Sequence, residues 1–180
     1  MPKTSHIGKV VLLGLYTLFF LSCEDTSTRF ELMKPSITGV AFSNELSYTE
    51  AFNPYTYRNF YNGAGVALGD INNDGLIDIY FTGNLVNNAL YLNRGDFNFE
   101  EIAETAGVAC KNIWSSGATF VDINQDGWLD LYVCKSGMPG GENRHNELFI
   151  NQKDNTFKEA SVEYGLDITG LSVQAAFFDY

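Results

Sequence analysis

The chain has 180 residues, with 22 acidic against 11 basic side chains and a net charge of −11 at pH 7. Removing residues 1–22 deletes two lysines and no acids, which leaves 9 − 22 = −13. A chain so acidic repels nucleic acid phosphates and anionic lipid head groups, so those partners are disfavoured and no nucleic acid role is expected.

Lys3 and Lys9 precede the apolar run Val10 to Leu21, followed by Ser22 and Cys23. A basic start and an apolar run too short to span about 30 Å of hydrocarbon read as an export signal over 1–22. The small residue before Cys23 resembles a bacterial lipoprotein box, which implies cleavage at Cys23, acylation of its thiol and attachment to a membrane through lipid. Residues 23–36 read as a tether, and which membrane would hold it stays open. The outer membrane or cell surface is the expected address.

From Phe30 to Gly39-Val40-Ala41 the chain repeats the spacing of a later stretch, Phe99 to Gly107-Val108-Ala109. A strand near Phe30 is therefore expected, one that would complete a last blade in a closed ring. Gly39 to Asp70 then takes 31 residues, against 15 from Gly107 to Asp122. The surplus falls in Asn53 to Tyr61, where Tyr55, Tyr57 and Tyr61 form a candidate ligand face for a sugar or peptide.

Two nine-residue stretches are near-copies, Asp70-Ile71-Asn72-Asn73-Asp74-Gly75-Leu76-Ile77-Asp78 and Asp122-Ile123-Asn124-Gln125-Asp126-Gly127-Trp128-Leu129-Asp130. Each has oxygen-bearing side chains at positions 1, 3, 5 and 9 and a glycine at 6. Such a loop can wrap around Ca²⁺, a hard cation that takes six to eight oxygen ligands. The expected ligands are Asp70, Asn72, Asp74 and Asp78 with the Leu76 carbonyl, and Asp122, Asn124, Asp126 and Asp130 with the Trp128 carbonyl. An EF-hand is excluded, because position 12 is Phe81 or Val133 where a bidentate Glu is required. The flanks are short, apolar and β-branched, so each loop is expected to join two strands.

The repeat continues through Asn88-Ala89-Leu90-Tyr91-Leu92-Asn93 and Asn146-Glu147-Leu148-Phe149-Ile150-Asn151. Four strands are predicted in the first unit, near 65–69, 78–82, 89–92 and 99–102. The unit recurs after 52 residues (Asp70 to Asp122) and again after 57 (Asp122 to Asp179). Four short strands at a period of about 40–60 residues describe a propeller blade. The predicted fold is all-β, a partial β-propeller of four-stranded antiparallel blades over residues 37–180. Ala176 to Tyr180 reads as the opening of a third unit, and the whole as an N-terminal portion of a ring.

Outside Cys23 the cysteines are Cys110 and Cys134, and a disulfide between them and two free thiols are both open. Asp130 to Asn146 is six residues longer than Asp78 to Asn88. This insertion carries Glu142, Arg144 and His145, a second part of the candidate ligand face. In an antiparallel meander successive turns alternate ends. Both insertions should therefore lie opposite the acidic loops. His145 is the only histidine after the leader, which gives catalysis little support. Arg94-Gly95-Asp96 spells an adhesion tripeptide but sits in a predicted tight turn, where Gly and Asp are expected anyway.

The strand–Asp-x-Asn-x-Asp-Gly-x-x-Asp–strand unit resembles the FG-GAP or VCBS repeat of integrin α-subunit propellers. The fuller run, Tyr61 to Asp70, Tyr80 to Asn84 and Leu90 to Asn93, resembles bacterial surface proteins similar to cartilage acidic protein, the ASPIC/UnbV-associated family. That resemblance covers about residues 30–180. It implies a calcium-binding, non-catalytic scaffold for an extracellular protein or glycan, with the eight acidic-loop side chains at the family's ligand positions. Phe81-Thr82-Gly83 and Val133-Cys134-Lys135 stand where integrin repeats have Gly-Ala-Pro, so the integrin mode of ligand binding is not implied. The alternative is a calcium-dependent polysaccharide lyase on the same scaffold, with its base in other blades.

Overall fold

A computed structural model of the chain describes residues 30–136 and 144–179. The chain divides into Met1–Met33 and Lys34–Tyr180, and the architecture here is that of the second unit. The predicted leader, Cys23 and Glu142 lie outside the described residues. Among the described residues no helix is long and apolar enough to cross a membrane.

Eight strands form two antiparallel sheets in simple meander order. The first holds β1 (Val66–Gly69), β2 (Asp78–Phe81), β3 (Ala89–Asn93) and β4 (Phe99–Glu101). The second holds β5 (Ser115–Val121), β6 (Asp130–Lys135), β7 (Glu147–Asn151) and β8 (Phe157–Glu159). The pairs Gly69↔Asp78 and Val121↔Asp130 close the two acidic loops, so each loop is the turn of its sheet's first hairpin. The predicted all-β architecture of four-stranded antiparallel units is thus observed.

Two helical turns punctuate the strands, α1 (Pro35–Thr38) and α2 (Ala103–Ala106). Each ends on a left-handed glycine, Gly39 or Gly107, where a β-carbon is disfavoured. The described residues before α1 form no strand, so the strand expected near Phe30 is not seen among them, and α1 holds the place that α2 holds after β4. The repeat spacing matched the turn and its glycine. The compact unit begins at Lys34.

The sheets stack face to face, and strand alternation decides what meets. Tyr80, Leu90 and Leu92 of the first sheet pack on Leu131, Val133 and Phe149 of the second, with Ala103, Ala106 and Val108 closing one side. Leu90, Leu131 and Val133 are wholly buried, each worth about 1.5–3 kcal/mol relative to exposure. The other face of the second sheet presents Tyr132, Cys134 and Leu148, which pack on Leu166, Ala175 and Phe177. The same positions thus serve both interfaces. Tyr80 donates to the Val108 carbonyl (2.7 Å) as Tyr132 does to that of Leu166 (2.9 Å).

The first strands of successive units run side by side. A β-carbon on Gly65 would meet the Gly117 backbone, and one on Gly117 would meet the Val173 carbonyl and Gln174. These positions allow backbone to approach backbone closely. Residues 172–175 extend the pattern, since Thr119 Oγ1 donates to the Ala175 carbonyl at 2.8 Å and Ser116 Oγ to that of Ser172 at 2.5 Å.

Candidate functional site

The two acidic loops are closed by the same hydrogen bonds, atom for atom. In the first, Asp70 accepts the N–H groups of Asp74 (3.1 Å) and Gly75 (2.7 Å). Asn72 Oδ1 accepts Asp74 N–H (3.1 Å), and Asp74 accepts Leu76 N–H (2.8 Å). In the second, Asp122 accepts Asp126 N–H (3.0 Å) and Gly127 N–H (2.9 Å). Asn124 accepts Asp126 N–H (3.0 Å), and Asp126 accepts Trp128 N–H (2.9 Å). Positions 4 and 6 are left-handed in both, at Asn73, Gly75, Gln125 and Gly127. Asn and Gly tolerate that conformation. Side chains 1 and 3 share the N–H of position 5, and the amide of position 3 donates to the carboxylate of position 5 in both loops.

Position 9 has a further role. Asp78 and Asp130 are fully buried at the loop base. Asp78 accepts the N–H groups of Ile71 (2.9 Å) and Asn93 (2.8 Å), and Asp130 those of Ile123 (3.2 Å) and Asn151 (2.8 Å). Each therefore ties its loop to the third strand of its own sheet. Burial pushes both carboxyls above the usual carboxylate range, against those N–H groups, and the charges at positions 5 and 1 add to the rise. The carboxylates of each loop are thus close enough to repel one another.

Among the described residues no three His, Cys, Asp or Glu side chains form a ready metal cage. The donor set is carboxylate and amide oxygen, the chemistry that suits a hard divalent cation and not zinc. Asp70, Asn72 and Asp74 could hold one such ion, and Asp122, Asn124 and Asp126 a second.

The second loop has a neighbour the first lacks. Lys153, in the β7–β8 turn, places its ammonium 3.2 Å from Asp126 Oδ2 and 6.0 Å from the Trp128 ring centre. Asp126 sits below the usual carboxylate range: partial desolvation opposes this, and Lys153, the Trp128 N–H and Asn124 outweigh it.

The opposite end of the sheets carries the aromatic insertion. Phe52, Phe60 and Trp114 form a buried cluster with Leu46, Tyr57 and Leu85 packed on it. Leu85 follows β2 and Trp114 precedes β5, so the cluster lies at the end of those strands away from the acidic loops. Tyr57 packs on Trp114, ring centres 5.1 Å apart, with its phenolic oxygen buried. It is a packing residue and not part of an open ligand face. Tyr55 and Tyr61 are 98% and 70% exposed and line a cleft of about 700 Å³ with Tyr48, Thr49, Glu50, Asn53 and Pro54. Arg144 and His145 are not among its lining residues; they pair with residues 168–170, far along the chain. The described residues of the second insertion thus do not line that cleft.

Cys110 and Cys134 are both free thiols. Cys110 packs with Leu131 and Val133, whereas Cys134 shares the opposite face of β6 with Tyr132. The disulfide is therefore absent, because strand alternation turns Cys134 away from Cys110. Cys110 Sγ instead meets Glu147 Oε2 at 3.3 Å. Glu147 also pairs with the wholly buried Lys135. Arg94 of the adhesion-like tripeptide pairs with Glu100 through Nε at 2.9 Å.

Residues 70–133 match the FG-GAP-like repeat. The match runs from the first acidic loop through the second and into β6. The chain is also similar to Cartilage acidic protein 1 of Xenopus tropicalis, at 28% identity over 145 residues. That alignment takes in 78% of this chain and 21% of the relative, so the chain spans about a fifth of that protein's length. An all-β chain of two four-stranded antiparallel sheets is what FG-GAP propeller blades require.

Four side chains whose roles were not read from the sequence hold this repeat together. Asn88 and Asn146 each donate to the tyrosine of their unit, Tyr80 at 2.8 Å and Tyr132 at 3.0 Å. Asn93 donates to the Ile77 carbonyl at 3.0 Å, and Asn151 to those of Leu129 (3.1 Å) and, across the sheets, Ile71 (2.7 Å). Their signal was identity at matching positions of both units.

Proposed function

We propose that these units are calcium-binding blades of an exported β-propeller that works as a binding scaffold and not as a catalyst. The observation that carries this reading is the identical closure of the two acidic loops. Each keeps the side chains of positions 1, 3 and 5 within a few hydrogen bonds of one another and anchors the loop through a buried Asp. Ca²⁺ would supply the positive charge those carboxylates lack, and its role is structural.

Isothermal titration of the full chain, stripped of metal, tests the reading. Two Ca²⁺ per pair of loops are expected, falling to one in Asp70→Ala. No calcium uptake at millimolar concentration would overturn it.

The partner is proposed to be an extracellular protein or glycan received by the cleft of Tyr48, Tyr55 and Tyr61. Aromatic rings beside one carboxylate suit hydroxyl-bearing or peptide ligands better than anionic ones. Cys23 is proposed to carry the lipid that retains the protein at a membrane. Cys23→Ala should release it into the soluble fraction, and unchanged membrane partition would refute the anchor.

A further inference from the structure

The two loops differ in one neighbour, and that neighbour occupies an unusual backbone position. Lys153 and Gly95 are equivalents: each N–H donates to the asparagine two residues before it, Asn151 at 2.8 Å and Asn93 at 2.9 Å. Both are left-handed, with φ of 67° and 86°. Glycine adopts that conformation freely, whereas lysine does so at a cost. From there the Lys153 ammonium reaches Asp126 Oδ2 at 3.2 Å. Among the described residues no basic side chain pairs with Asp70 or Asp74, and Arg94 nearby is committed to Glu100.

We infer that Lys153 is a built-in counter-ion of the second acidic loop, which holds that loop in shape without metal and weakens its grip on a divalent cation relative to the first. This rests on the calcium reading above. An ion entering the second loop must displace the ammonium from Asp126, a step the first loop does not require. The ammonium is held loosely enough to leave, since its side chain is 45% exposed. Exposed ion pairs of this kind shift an equilibrium by up to about fivefold. The first loop then fills at lower calcium, and the second responds over a higher range.

Trp128 at position 7 is a natural reporter for the second loop, because an indole beside a bound terbium(III) ion sensitises its emission. Terbium(III) would be titrated into the metal-free full chain and then displaced by Ca²⁺. Lys153→Gln should tighten both affinities about two- to fivefold, and Lys153→Arg should leave them near wild type. Moving the reporter with Leu76→Trp and Trp128→Phe should show a tighter first loop that is indifferent to Lys153→Gln. Equal affinities at the two loops, or no tightening in Lys153→Gln while terbium still binds, would overturn the inference alone. Absence of ion binding by every variant would overturn the calcium reading and this inference with it.

Discussion

Asn73, at position 4 of the first acidic loop, donates from its side-chain amide to the Gly127 carbonyl of the second at 3.0 Å. The two loops are therefore in direct contact, and the shape of one constrains the other. Asp74 and Asp70 push the Asp78 carboxyl up, as Asp126 and Asp122 do that of Asp130, and like charges about 4 Å apart repel by about 1 kcal/mol even at water's dielectric. A cation in either loop would relieve that repulsion at a shared boundary.

Metal removal should therefore lower stability markedly. At a thousand times its dissociation constant, Ca²⁺ adds about 4 kcal/mol per site. The full chain should melt well above its temperature in chelator when calcium is in excess. Equal melting temperatures would rule out a structural ion.

Asp78 should matter even without metal. Asp78→Ala leaves the N–H groups of Ile71 and Asn93 without their acceptor, at a cost of about 2–5 kcal/mol. Asp78→Asn keeps one acceptor oxygen and should cost less. Urea unfolding in chelator measures both, and a change below about 0.5 kcal/mol in Asp78→Ala would contradict the bracing role.

The two thiols should be inert in the folded protein. Burial, then the Glu147 carboxylate, push Cys110 up to about 12, and burial pushes Cys134 up to about 11. Only the thiolate reacts with iodoacetamide, so alkylation at pH 8 should be slow until denaturant is added. Fast labelling of Cys110 in the native state, or a disulfide seen by mass, would contradict this.

Lys135 and Glu147 should behave as one unit. The corresponding residues of the first sheet are Gly83 and Ala89, so the ion pair belongs to the second sheet alone. The ammonium is wholly buried and, among the described residues, makes no well-directed hydrogen bond beyond its contact with Glu147. Lys135→Met should cost about 3–5 kcal/mol by leaving Glu147 unpaired, and Lys135→Met with Glu147→Leu should regain most of it. Additive losses in the double variant would show that the two do not interact.

Much of this structure was legible because its signals are local. Strands predicted at 65–69, 78–82, 89–92 and 99–102 lie at 66–69, 78–81, 89–93 and 99–101. A loop whose side chains at positions 1, 3 and 5 accept from its own backbone needs no distant partner to close, so its outline can be read from nine residues. The misses share the opposite property. The direction of Cys134 depends on its place in the alternation of β6. The fate of Tyr57 depends on Trp114, 57 residues away, in a segment with no period to follow. α1 and α2 are single turns, too short for any helical periodicity to show. The burial of Lys135 depends on Glu147, which the sequence separates by twelve positions and the neighbouring strand brings alongside.

The glycines at 65 and 117 have a mechanical consequence. With no side chain at Gly65 or Gly117, main chain meets main chain along the first strands, and the seam leaves no slack for one sheet to slip lengthwise past the other.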